Sequence, residues 1–219
     1  MSILTITTKT KLNVSILITI VIHAGGLLAL QLWGSDFLAS LSPYNLLLMA
    51  LLFSWNEVKF KSFLSYIPIV MLGFTAEWLG VHKGWVFGNY AYSQVLGFSF
   101  LEVPLIIGVN WALVVSGCFV ISHYLVKQVL KVDSAFMVVV LTGMLATLFD
   151  FVMEPVAIHF NFWQWEGGAI PIYNYISWWA VSTLAAAWLY KLKIKPNHFA
   201  VALVVAQFLF FIGIILMIK

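Results

Sequence analysis

Arginine is absent from this 219-residue chain, cysteine occurs once, and charged residues make up only 9% of it. Each shortage excludes something. A soluble domain carries about a quarter charged residues, so neither an ordinary water-soluble enzyme nor a disordered chain fits. All positive charge comes from eleven lysines. Binding phosphate bidentately is the task of arginine's planar fork, so the net charge of +3 does not describe a nucleic-acid surface. Cys118 alone can form neither an internal disulfide nor a thiolate metal cluster. No internal repeat and no low-complexity segment is found.

Apolar sequence is what remains: 63% of residues are hydrophobic and the mean hydropathy is +1.03. A membrane crossing takes roughly 20 apolar residues. The length therefore accommodates about seven crossings with short loops, and no separate soluble domain. The expected architecture is all-α, a polytopic membrane bundle of about seven transmembrane helices forming one domain over residues 1–219. Apolar runs between charges and turn residues place the spans at Leu12–Trp33, Pro43–Trp55, Phe63–Gly80, Val103–Val126, Ser134–Met153, Tyr173–Tyr190 and Phe199–Ile218. Ser42, Pro43 and Asn45 interrupt the second, which could begin nearer Phe37. The first run is too long for a signal peptide and is read as a retained span.

Lysines orient the spans. Lys9 and Lys11 precede span one, and Lys59 and Lys61 separate spans two and three. Lys127 and Lys131 follow span four, while Lys191, Lys193 and Lys195 separate six from seven. With seven spans, all of these share one side, leaving only Lys83 and Lys219 on the other. The N-terminus is then cytoplasmic. The opposite loops, 81–102 and 154–172, are longer and chemically richer, as functional loops tend to be. Residues 84–92 alternate aromatics with glycines and are expected to form a short hairpin or a re-entrant loop. A retinal-type Schiff base would need a lysine inside the last span, and Phe199–Ile218 has none.

Four carboxylates fall near the outer span ends: Glu77, Glu102, Asp150 and Glu154. Acids at membrane depth are expensive and are retained for a purpose. Asp150 and Glu154 are one turn apart and share a helical face with Gly143 and Thr147. Two such carboxylates resist ionising together, so one should hold a proton, as a general acid must. Glu102, before Val103-Pro104, serves equally well as a complement to a positive helix N-terminus. Glu154, before Pro155, is equally well an exposed helix-end residue. His23 beside Gly25-Gly26 is more simply a histidine bonded to a neighbouring helix than a proton carrier. His82 and His159 lack any metal-binding spacing, so no metal site is expected. Asn110-Trp111, and Asn174 with Trp178 one turn on, offer buried polar and π surface. Trp163, Trp165, Trp178 and Trp179 are the tryptophans expected to line a pocket.

Glu77, then Gly84-Trp85-Val86-Phe87-Gly88-Asn89-Tyr90-Ala91-Tyr92, Leu96-Gly97 and Glu102-Val103-Pro104 form one signature. Leu148-Phe149-Asp150, Glu154-Pro155-Val156-Ala157, Trp163-Gln164-Trp165, Gly167, Pro171, Asn174-Tyr175 and Trp178 form a second. Together, over roughly residues 74–180, they resemble the carotenoid hydratase family, which includes the bisanhydrobacterioruberin and γ-carotene hydratases. The chain departs from that pattern at Glu154, where aspartate is commoner, at Gly168-Ala169-Ile170, and at Ser177.

The resemblance implies hydration of an acyclic carotenoid end: protonation of a trisubstituted alkene, then capture of the tertiary cation by water. Asp150 or Glu77 would be the acid, and Glu102 or Glu154 would hold water. Trp85, Phe87, Tyr90, Tyr92, Asn110, Trp111, Trp163, Trp165, Asn174 and Trp178 would line the substrate site. That chemistry requires no cofactor. The implied partners are a bilayer-dissolved carotenoid, lipid and other enzymes of the pathway, in a bacterial or archaeal cytoplasmic membrane. A lycopene-type cyclase, which closes the same cation on an internal alkene, and a non-catalytic pigment- or lipid-binding protein remain open.

Overall fold

The computed structural model describes residues 7–57 and 63–218. Its architecture is all-α, with four short strands at one end of the bundle. Helix α1 spans Thr8–Asn56, α2 Ile67–Lys83, α3 Leu105–Tyr124, α4 Ala135–His159, α5 Ile172–Leu192 and α6 His198–Met217. A π-helical turn, Leu125–Val129, extends α3. Side chains fix several starts: Thr7, Ser134 and Asn197 accept from the backbone N–H of Thr10, Met137 and Phe199, satisfying donors the helix leaves open.

Helix α1 is a hairpin of two arms. Gly34 breaks it with φ 82° and ψ 179°, a conformation only glycine adopts without strain. The arms, 8–33 and 35–56, then run antiparallel. Asn56 Nδ2 donates to Ser15 Oγ at 2.7 Å, Thr19 Oγ1 to Met49 Sδ at 3.5 Å, and Lys11 lies over the Trp55 ring. The first two expected spans are thus the arms of one bent helix. Pro43 lies within the second arm rather than at its start.

Among the described residues, four helices are long and apolar enough to cross a membrane: α1, α3 with its π turn, α4 and α6. Helix α2 has 17 residues, about 25 Å of rise, and α5 carries polar groups along its 21 residues.

The ends of the bundle differ. At one, Asn197 donates to Phe53 O and Glu57 Oε1, Tyr66 donates to Glu57, and Lys127 lies over the Tyr190 ring. Lys9, Lys11, Lys127, Lys131, Lys191, Lys193 and Lys195 belong to this end. Lys59, Lys61 and Lys219 lie outside the described residues. At the other end, Ser35 beside the Gly34 bend meets His159 at 2.7 Å, below the strand layer.

The strands are β1 (Tyr90–Tyr92), β2 (Ser99–Phe100), β3 (Val103–Pro104) and β4 (Trp163–Trp165). Residues 84–92 form no hairpin of their own. Instead β1 pairs antiparallel with the distant β4, Tyr90 opposite Trp165 and Tyr92 opposite Trp163. Strand side chains alternate between faces, so these four aromatics turn inward together while Ala91 and Gln164 turn out. The local hairpin is β2–β3, with Leu101 and Glu102 at positive φ in its turn.

Candidate active site

One cavity, of about 90 Å³, lies beneath the β1–β4 layer. Helix α4 lines it with Phe149, Asp150, Met153, Glu154 and Ala157, a stripe set by the helical period. The α4 face with Thr147 and Asp150 meets α5, where Thr147 Oγ1 reaches Tyr175 O at 3.5 Å. Helix α2 adds Glu77, α3 Asn110 and Trp111, and α5 Asn174 and Trp178. Gly73 lets α3 approach: a Cβ there would fall 2.6 Å from Trp111 Cβ.

Three buried carboxylates share this space, in three different environments. Glu77 is saturated with donors. Trp111 Nε1 donates to its Oε1 at 2.8 Å, while the Tyr90 and Tyr92 hydroxyls both donate to Oε2, Tyr92 at 2.8 Å. Burial first, then the Glu77 charge, pushes both hydroxyls well above the ordinary tyrosine range. They therefore stay protonated and can donate. Glu154 accepts on Oε2 from two indoles, Trp163 at 3.1 Å and Trp165 at 2.9 Å. Its Oε1 has no hydrogen bond among the described residues. Asp150 has the fewest donors: Asn174 Nδ2 reaches Oδ2 at 2.9 Å, and Oδ1 is buried without a partner among the described residues. No lysine or histidine lines the cavity among the described residues.

Aromatic faces enclose these acids. Trp111 and Trp178 stack at 3.9 Å between centroids and 16° between planes. Phe87 lies 5.9 Å from Trp111, Tyr90 lies 4.9 Å from Trp165, and Tyr92 lies 5.7 Å from Trp163. Carboxylates ringed by π faces, without a fixed cation, suit a transient cationic guest.

Of the residues expected at the site, the structure brings together Glu77, Phe87, Tyr90, Tyr92, Asn110, Trp111, Asp150, Glu154, Trp163, Trp165, Asn174 and Trp178. It sets two apart. Glu102 sits in the β2–β3 turn rather than at a helix start, its side chain 75% exposed and 3.4 Å from His82. Trp85 is 64% exposed, because the chain turns outward after Gly84 ends α2. Trp179 also faces away, beside Gly143 on the outer side of α4. His23 bonds within its own helix, to Thr19 O at 2.8 Å, with its ring edge against Phe210. Among the described residues, no group of three or more His, Cys, Asp or Glu could hold a metal ion.

Sequence reasoning missed the contributions of the flanking helices. Ser42, Asn45 and Leu46 of α1, and Gln207, Phe210 and Phe211 of α6, complete the wall. Gln207 carried a usable signal, since it alone is polar in the run Phe199–Gly213. Asn45 was hidden, because a polar residue beside a proline reads as a break.

Fold and site together define a helical protein with several helices fit to cross a membrane and an enclosed aromatic and acidic pocket. The chain belongs to the carotenoid biosynthesis protein family, whose sequence profile matches residues 38–219. No curated protein and no solved structure matches it.

Proposed function

We propose that the protein adds water to the terminal isoprenoid double bond of an acyclic carotenoid end group. The observation that carries this reading is the unequal treatment of three acids in one aromatic cavity. Three carboxylates with no cation nearby cannot all be ionised. The proton goes to the acid with the fewest donors, Asp150, and the charge stays on Glu77, which has the most.

Asp150 then gives its proton to the less substituted alkene carbon, and the π electrons form the new C–H bond. A tertiary cation remains at the neighbouring carbon. Stacked Trp111 and Trp178, with the charge of Glu77, stabilise it; a desolvated cation–π contact is worth about 2 kcal/mol. Water oxygen bonds to the cation, and its surplus proton passes to the free Oε1 of Glu154. Return of a proton to Asp150 completes the addition of one water.

Expression in a host accumulating lycopene or γ-carotene tests the reaction. We expect a more polar pigment with a tertiary hydroxyl, formed without added cofactor. An isobaric, non-polar product would assign a cyclase instead, and unchanged pigment would leave a binding protein.

We also propose seven crossings, the arms of α1 counting as two, with a cytoplasmic N-terminus. The lysine-bearing connections at one end of the bundle support this orientation. Reporter fusions at Lys131 and Gly168 are expected to report opposite sides; a shared side would overturn the topology.

A further inference from the structure

Four amides line the cavity, Asn45, Asn110, Asn174 and Gln207, and two of them keep a side-chain oxygen that is buried and unpartnered among the described residues. Gln207, in the middle of α6, is 4% exposed and lines the cavity. Its Oε1 is buried with no hydrogen-bond partner among the described residues, and so is Oδ1 of Asn45 on the second arm of α1. Leaving such an atom unsatisfied is destabilising, and leucine would seal the same wall without that cost. Both oxygens can only accept, so their missing partner carries O–H or N–H groups. Asp150 Oδ1 is a third unpartnered oxygen on the same cavity. A buried water is held by two to four such polar groups.

We infer that Gln207 and Asn45 form the binding site for the water that captures the carotenoid cation. The inference rests on the hydration reading above. By accepting the water's hydrogens, the two amides leave an oxygen lone pair free for the cation. The C–O bond forms from that lone pair; the oxonium then turns one O–H from its amide to Glu154 Oε1, which takes the proton, so the balance is alkene plus water to alcohol. Gln207 and Asn45 are positioning residues here; they transfer no proton. They also decide the product, because a cation with no water beside it loses a proton again or closes on a neighbouring alkene.

The test follows both fates in membranes containing the full chain, supplied with acyclic carotenoid in D2O. Alcohol formation and deuterium incorporated into recovered alkene are measured together. Gln207→Leu and Asn45→Leu are each expected to lower alcohol formation about tenfold or more. Deuterium exchange into the alkene, or an isobaric cyclised product, should persist in both, so the exchange-to-alcohol ratio rises. Asp150→Asn should lower alcohol and exchange together. Unchanged alcohol formation in both leucine variants would overturn the water site alone. So would an equal fall of alcohol and exchange in both, which marks packing rather than water placement. A wild-type protein that forms no alcohol would overturn the hydration reading and the water site with it.

Discussion

Asp150→Asn is expected to lower hydration turnover by about 10²- to 10⁴-fold, the usual worth of a general acid, while the protein inserts and purifies normally. Asparagine keeps the size of the side chain and an oxygen to accept the 2.9 Å bond from Asn174. It removes only the transferable proton at an oxygen that no other group in the described structure engages. Glu154→Gln should cost less, because its two indole bonds need only an acceptor oxygen. Initial rates of alcohol formation in membranes, normalised to protein content, measure both. If Asp150→Asn keeps nearly full activity while Glu77→Gln abolishes it, the acid belongs to α2. The reaction class would survive that outcome, but the role of Asp150 would not.

Glu77→Gln should show the opposite character, a loss of stability alongside a loss of rate. Glu77 takes three donors on two oxygens. A glutamine offers one oxygen and an NH2 group, so donors would face donors unless both tyrosine hydroxyls turned round. They would then leave their own hydrogens unpaired in a buried site. The cost of such a mismatch is about 1–3 kcal/mol. Thermal unfolding in detergent, followed by tryptophan fluorescence, should place Glu77→Gln clearly below both wild type and Asp150→Asn. Equal midpoints for the three proteins would remove Glu77 from its role as the fixed anion joining α2, α3 and β1.

How much of this was legible in the chain depends on the range of the signal. Hydropathy marks α3 and α6 within a few residues, because a long apolar helix advertises itself locally; α4 instead runs through Pro155 to His159, beyond the expected end at Met153. The stripe of Asp150 and Glu154 is equally local, since one turn of helix fixes the shared face. Tyr90-x-Tyr92 and Trp163-x-Trp165 already carry the period of two, yet nothing in either segment says that they pair with each other. Segments more than 70 residues apart in sequence meet only when α2 and α4 both pack against α3.

Composition determined the kind of molecule: few charges, no arginine for phosphate, and apolar runs long enough for helices fit to cross a membrane. The residues themselves also set the candidate chemistry, because acids placed among tryptophans in apolar sequence have few other uses. Only the tertiary structure decided which acids share a cavity. In the sequence Glu102 is a candidate acid and equally a complement to a helix N-terminus, but the positive-φ turn at Leu101 and Glu102 sends it outward, whereas α4 holds Asp150 and Glu154 inside. Tertiary contact likewise gave each acid its donors, three for Glu77, two for Glu154 and one for Asp150. The donors come from other elements, 9 to 34 residues away along the chain, so the division of labour proposed for the three acids rests on how the fold sets those elements against them.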